Sequence, residues 1–414
     1  MNGHVRKRGG RWEIMLEVGE QLAQRCPQCI DTRGRSRRHW IDKGRLDRCP
    51  KCAGPLELVT ARRQIYLSEN FATKREAQAR LTRELHAGMS GTFAEPDKLT
   101  VAEFLQEHWL PAIAGTVRPT SLHLYKLHVN SRIVPHIGRI RLQKLAPRDI
   151  DVLYARLANE PGPRGHSLSP ASVRAVHRVL HRALTKAMEW NIIVRNPADR
   201  AERPKVARPE MKTWTREDLS AFLDSTEGER LHPLWRVLAM TGSRRGEALA
   251  LRWSDVDLVG RRLTVRRSRV QVGYETLEQD TKTGRSRVIA IDEGTVEALR
   301  RQAEQQRADQ DEWLGAWQGD GHVFAREDGK PWHPDRITKL FEQALQAARL
   351  PRIRLHDLRH THATLALQAG IHPKVVSERL GHAQVSMTLD TYSHAIPALQ
   401  ESAAALIAAL VDAS

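Results

Sequence analysis

The chain has 414 residues, 66 of them Lys or Arg against 49 Asp or Glu, for a net charge of +17 and a pI near 10.2. That length exceeds one ordinary core and predicts two or three domains, while the positive surplus points to a polyanion, with nucleic acid the default. Only 5% of residues are aromatic, which argues against base stacking on single strands and for contacts to duplex phosphates. No run approaches the ~18 apolar residues of a membrane span, and no apolar stretch follows the basic start at Arg6-Lys7-Arg8. The expectation is a protein without signal peptide or membrane segment, cytoplasmic and nucleoid-associated.

Residues 1–98 read as a first, small α+β domain. Trp12, Ile14, Leu16 and Val18 alternate with Glu13, Met15 and Glu17, the period of a strand. All four cysteines follow, as Cys26-Pro-Gln-Cys29 and Cys49-Pro-Lys-Cys52 with nineteen residues between the pairs. This spacing predicts a zinc ribbon over 26–54, an Fe–S cluster or idle thiols being the alternatives. Four thiolates leave no position open for water, so the expected Zn2+ is structural. Residues 62–67 read as a returning strand. Thr73 and Glu76 form a capping box that opens a helix through Ala77, Leu81 and Leu85 toward Gly88. The domain carries 20 Lys and Arg against 12 Asp and Glu, almost half the net charge in under a quarter of the chain.

Residues 99–203 read as all-helical. Thr100 and Glu103 make a second capping box, and Pro111 is expected to end that helix. A second helix is predicted over 120–134, broken before Pro135, and a third after Pro147 with Ile150, Leu153, Tyr154 and Leu157 inward. Ser169-Pro170 starts a long helix through Val173, Val176, Leu180, Leu184 and Met188. Its cationic row, Arg174, His177, Arg178, His181, Arg182 and Lys186, reads as a face that tracks phosphates rather than one that is merely solvated. Residues 196–209 are rich in Pro and charge, without periodicity, and read as an interdomain linker with its joint at 204–209.

Residues 210–414 form the last domain, mainly helical with a small sheet. Helices are predicted from Thr215, near 233–239, and near 335–349, 356–369 and 373–380, with strand-like runs at 261–270 and 286–291. His356 and Arg359, at i and i+3, share a helix face. Gly381-His382 closes the helix begun at Pro373, and Tyr392 comes ten residues later. An anion-binding guanidinium, two imidazoles and a phenol delivered together are the equipment for attacking a phosphodiester with a tyrosine hydroxyl. Leu399, Ala403, Leu406, Ile407 and Leu410 form an apolar stripe on an expected terminal helix, which packs either on its own domain or on a neighbouring protomer.

The 354–394 segment resembles the C-terminal signature of the tyrosine recombinase (phage integrase) family, in its integrase-like branch. Upstream, Thr241-Gly242-Ser243-Arg244-Arg245-Gly246-Glu247 resembles the family's first arginine box, with Ser243 where an apolar residue is usual. Thr281-Lys282-Thr283-Gly284-Arg285 resembles its hairpin lysine. The resemblance covers about 99–400. It implies a site-specific recombinase that cleaves and rejoins duplex DNA through a 3′-phosphotyrosyl link and integrates or excises a mobile element. Tyr392 would be the nucleophile, Arg244 and Arg359 the phosphate clamp, and Lys282 the acid for the departing 5′-oxygen. His356 would take an acid–base role and His382 donate to the phosphate. Glu247 would orient other groups, while His360 and His362 are read as bystanders or duplex contacts. The chemistry would need no cofactor. Residues 1–98 resemble an arm-site DNA-binding module with the ribbon as an addition, either touching phosphates or, as preferred, bracing a hairpin. Residues 99–203 resemble a core-binding, SAM-like domain. A homotetramer on core and arm sites, a DNA-bending host factor and a directionality factor are the implied partners. A relaxing topoisomerase of type IB and a non-catalytic DNA-binding regulator are the rival readings.

Overall fold

The alternation around Ile14 belongs to a strand far longer than the pattern predicts, because it runs on through the first cysteine pair. The protein is described by a computed structural model that covers all residues except 32–33, 42–44, 91–92, 96, 163–164, 207–210, 282–283, 285, 393–406, 409–410 and 413–414, and the side chains of 68–70. The chain divides into two compact units, Met1–Val206 and Ala207–Ser414.

In the first unit, β1 (Asn2–Arg8), β2 (Arg11–Ile30), β3 (Ser36–Trp40) and β4 (Glu57–Phe71) form one antiparallel sheet. β2 is central: β1 pairs with residues 11–17 and β3 with residues 23–30, while β4 runs along the other edge from Trp12 to Arg25. A register shift between Glu17 and Glu20, at the left-handed Gly19, divides β2 into two halves. The first half lays Ile14 and Leu16 against Ala77 and Leu81 of α1 (Lys74–Met89), whose Thr73–Glu76 capping box is formed as expected. The second half carries Cys26 and Cys29.

A separate core fills the helical part of this unit. The run opened by Thr100 continues past Pro111 to Ile113, and the next spans Pro119–His128, Val129–Ile133 and Val134–Ile137 without stopping at Pro135. In each case a wide π turn, Phe104–Trp109 or Val129–Ile133, precedes the proline. A proline lacks the N–H and crowds the carbonyl four residues back, and the wider turn removes both conflicts, so neither proline ends its helix. α2 (Pro147–Asn159) and α3 (Pro170–Glu189) complete the core with Ile150, Leu153, Tyr154, Leu157, Val173, Val176, Leu180 and Leu184. Asn196, Ala198 and Ala201 are buried too, so the first part of the expected linker packs on this core.

The second unit contains α4 (Arg216–Ser225), α5 (His232–Thr241) and α6 (Arg245–Leu249). It then has β5 (Val256–Asp257), β6 (Arg262–Val265), β7 (Arg267–Val272), β8 (Glu275–Asp280) and β9 (Arg287–Ala290), followed by α7 (Glu293–Trp313), α8 (Pro334–Ala347), α9 (Asp357–Gln368), α10 (Pro373–Leu380) and α11 (Val385–Tyr392). The strand-like run 261–270 is two strands: β6 pairs with β9, while β7 turns at Gly273-Tyr274 to pair with β8. Residue 282 therefore follows β8, not the 261–270 run. Of the five apolar positions of the expected terminal helix, Ile407 falls among the described residues, in a helical, exposed turn; Leu399, Ala403, Leu406 and Leu410 lie outside them.

Candidate active site and metal centre

Arg359 organises the site. It is 3% exposed on α9, and its Nη1 and Nη2 donate to the carbonyls of Gly242 (2.8 Å) and Leu380 (2.7 Å). It thus ties the turn before Arg244 to the helix end before His382. Both ends stop at left-handed glycines, Gly242 (φ 63°) and Gly381 (φ 68°), where a side chain is strained. A guanidinium has five N–H donors, so at least three remain for another acceptor. Burial first, then the charge of Arg244, draws Arg359 down to about 9, still a cation at neutral pH.

Arg244 precedes α6 and donates from Nη1 to Glu247 (2.8 Å), whose other oxygen receives Arg287 (2.6 Å) from β9. Burial alone would raise the Glu247 carboxyl, but the Arg287 hydrogen bond and the charges of Arg287 and Arg244 outweigh it and hold it at about 2. Ser243 is buried and hydrogen-bonded to Thr241, which is how a hydroxyl fits where an apolar side chain is usual.

Tyr392, the last residue of α11, is 1% exposed among Ala363, Ala366, Leu367, Val376 and Leu380. Its hydroxyl shares a hydrogen bond with Nδ1 of His360 (2.8 Å). Burial raises the phenol to about 12 against the opposing charges of Arg359 and Arg244. His360 is therefore in contact with the phenol, not the bystander its position suggested. Its spacing of i+4 from His356 puts the two rings edge to face at 5.1 Å. His356 opens α9, where desolvation of its ring first, then His360 and Arg359, push it down to about 4. His382 bonds Thr388 (2.8 Å), and burial, then Arg359 and Arg244, lower it to about 4. His362 bonds the Ala239 carbonyl (2.9 Å) inside the fold, which removes it as a duplex contact. Lys282 lies outside the described residues.

In the first unit the four cysteine sulfurs lie within 4.8 Å of one another, with Cys26–Cys52 at 3.4 Å, Cys29–Cys49 at 3.8 Å and no disulfide between them. Tetrahedral bonds of ~2.3 Å put ligand sulfurs ~3.8 Å apart, so the set fits one metal ion. Backbone N–H groups of Lys51 and Cys52 draw the Cys49 thiol down to about 6, whereas the bond to Cys52 and desolvation drive Cys29 up to about 12. Four sulfurs gathered at this spacing could hold a cation, which would ease their mutual repulsion as thiolates. On α3, His177 turns inward and bonds the Tyr154 hydroxyl (2.7 Å), so it does not belong to the cationic face.

The sequence pattern of the phage integrase family matches residues 212–398, and that of the N-terminal SAM-like domain of phage integrases matches 100–158. A XerC-like tyrosine recombinase of Caldanaerobacter subterraneus subsp. tengcongensis is 25% identical over 345 residues, 78% of this chain and 87% of that protein. An integrase of Streptomyces ambofaciens is 29% identical over 354 residues, 80% of this chain and 86% of its own. The Tn1549 transposon integrase, solved with transposon right end DNA, shares the fold at a TM-score of 0.62 and 20% identity, over 74% of this chain and 99% of that one. Lambda integrase on a core site does so at 0.53 and 18%, over 70% and 97%. Fold and relatives together define a site-specific DNA recombinase of the tyrosine type. The chain belongs to the phage integrase family.

Proposed function

We propose that the enzyme cleaves and rejoins duplex DNA at core sites through Tyr392 and so integrates or excises a mobile element. The Tyr392 oxygen bonds to phosphorus as the P–O5′ bond breaks, giving a 3′-phosphotyrosine and a free 5′-hydroxyl. The phenol proton passes to the paired imidazoles of His360 and His356, and Lys282 protonates the leaving oxygen. Arg244 and Arg359 hold the non-bridging oxygens and offset the charge of the transition state, with His382 donating beside them. Reversal with a new 5′-hydroxyl restores the diester, so the bond's energy is kept in the link.

The observation that carries this reading is a buried phenol hydrogen-bonded to His360 and acted on by the charges of Arg359 and Arg244. Residues 1–98 serve arm sites, 99–203 and 210–414 each contact core-site DNA, and four protomers exchange strands in pairs. The four-cysteine cluster holds Zn2+ as a structural ion. A DNA-bending host factor and a directionality factor complete the assembly, in the cytoplasm on the nucleoid.

The test is a nicked suicide duplex containing the attachment site. The native protein forms a covalent adduct that survives denaturation, and Tyr392→Phe forms none while still binding the duplex. An adduct persisting in Tyr392→Phe would overturn the assignment.

A further inference from the structure

The ribbon carries more positive charge than its metal centre uses. Residues 26–54 include eight Lys and Arg against three Asp. Four thiolates on a divalent ion carry two net negative charges, which offset only two of the five surplus positives. The remainder is not spread evenly. A groove of about 450 Å³ opens beside Cys29, lined by Asp31, Arg35, Arg37, Arg38 and Lys51. Asp31, its single acid among the described residues, is bonded to Arg35 (3.0 Å). Arg37, Arg38 and Lys51 are exposed and have no acid partner among the described residues. Three cations held together by a short strand and a metal knuckle repel one another unless an anion sits between them.

The groove's position limits which anion. Arg37 of β3 pairs with Cys26, which lies six residues beyond Glu20, where the bulge divides β2. At ~3.3 Å per residue the strand carries the groove ~20 Å past the half that packs on α1. Phosphates recur every ~3.4 Å along one DNA strand, so this offset is about six nucleotides. Among the described residues no aromatic ring lines the groove to stack a base.

We infer that the metal ribbon is a second phosphate clamp, in which Arg37, Arg38 and Lys51 grip the duplex backbone about six base pairs from the part of the DNA met by the rest of the sheet. This reading rests on the DNA-recombinase assignment and replaces the ribbon's role as a mere brace.

The test uses the full chain with Tyr392→Phe, to prevent cleavage, and random-sequence 40-base-pair duplex as probe, since backbone contacts need no particular sequence. Affinity is measured across a salt series with and without Arg37→Gln, Arg38→Gln and Lys51→Gln together. Each phosphate contact contributes about 0.9 to the slope of log affinity against log salt, so the triple variant flattens it by about 2 to 3. Metal content and circular dichroism of the variant match the parent, which separates lost contacts from lost folding. An unchanged slope with full metal content overturns the clamp and leaves a brace. Calorimetry with inorganic phosphate provides a second arm: saturable binding that the variant loses, with no change in slope, overturns it in favour of a free anion. Failure of the parent to bind duplex at all would instead sink the recombinase reading from which this one starts.

Discussion

Glu247 touches no reacting atom in the proposed scheme, yet it sets the position of Arg244. Its carboxylate is 3% exposed and is shared by Arg244 and Arg287. A carboxyl with an ordinary value of 4.5 held at about 2 stabilises the fold by about 3 kcal/mol at neutral pH. Because the folded value is the lower one, that contribution is present above pH ~4.5 and is lost as the pH falls toward 2. Glu247→Gln keeps the shape and removes the charge, leaving Arg287 buried without its counter-ion. The catalytic unit is expected to lose about 3 kcal/mol in urea unfolding at pH 7, and its stability to depend less on pH below 4.5. An unaltered pH profile would show that the pair contributes nothing. His360 shows what residue type alone conceals. The i+4 spacing from His356 was the available signal, but only the path of α11 brings Tyr392 to it.

At the scale of elements, local signals were legible where the chain's own neighbours decide the structure. The Thr73 and Thr100 boxes form, since three residues suffice to cap a helix, and the helix read from Thr215 begins there, with a further box to Asp218. What was hidden depended on distant partners. α7, at 21 residues, has no full apolar stripe because Gln302, Gln306 and Asp309 face inward, where Gln306 bonds Trp253 and the His322 carbonyl and Asp309 pairs with Arg230. β8 reads as polar loop because Glu278 is paid back by Arg252, Arg269 and the buried His322 rather than by burial of apolar area. These bonds lower the Glu278 carboxyl against the desolvation that would raise it. β8 is the strand that leads to Lys282, so its anchor has a catalytic consequence in the proposed scheme. Glu278→Gln is expected to cost about 2 kcal/mol and to speed hydrogen exchange in β7 and β8, with slower adduct formation on the suicide duplex. Unchanged exchange in these strands would remove Glu278 as the anchor.

At the scale of the whole molecule, the two units draw stability from different sources. The catalytic unit has a large core, from Trp214 through Phe222, Trp235 and Phe341 to Leu358. Among the described residues the N-terminal sheet and α1 bury Ile14, Leu16, Ile65, Leu67, Ala77 and Leu81 in their own cluster, and the half of β2 beyond Gly19 has no apolar core of comparable size. A small scaffold of this kind needs a staple, and the proposed Zn2+ would join β2 to the 49–52 knuckle, tying together residues twenty or more positions apart. Removing that metal with a chelator, or replacing Cys49 by Ser, should therefore melt residues 20–60 first. Hydrogen exchange followed by mass spectrometry is expected to show protection lost across 20–30 and 57–62, while α5, α9 and their neighbours in the catalytic unit keep theirs. Loss of protection in both units together would mean that the metal supports the molecule as a whole. No loss anywhere would mean that the strand pairing alone holds the arm, and that the cysteines are not its staple.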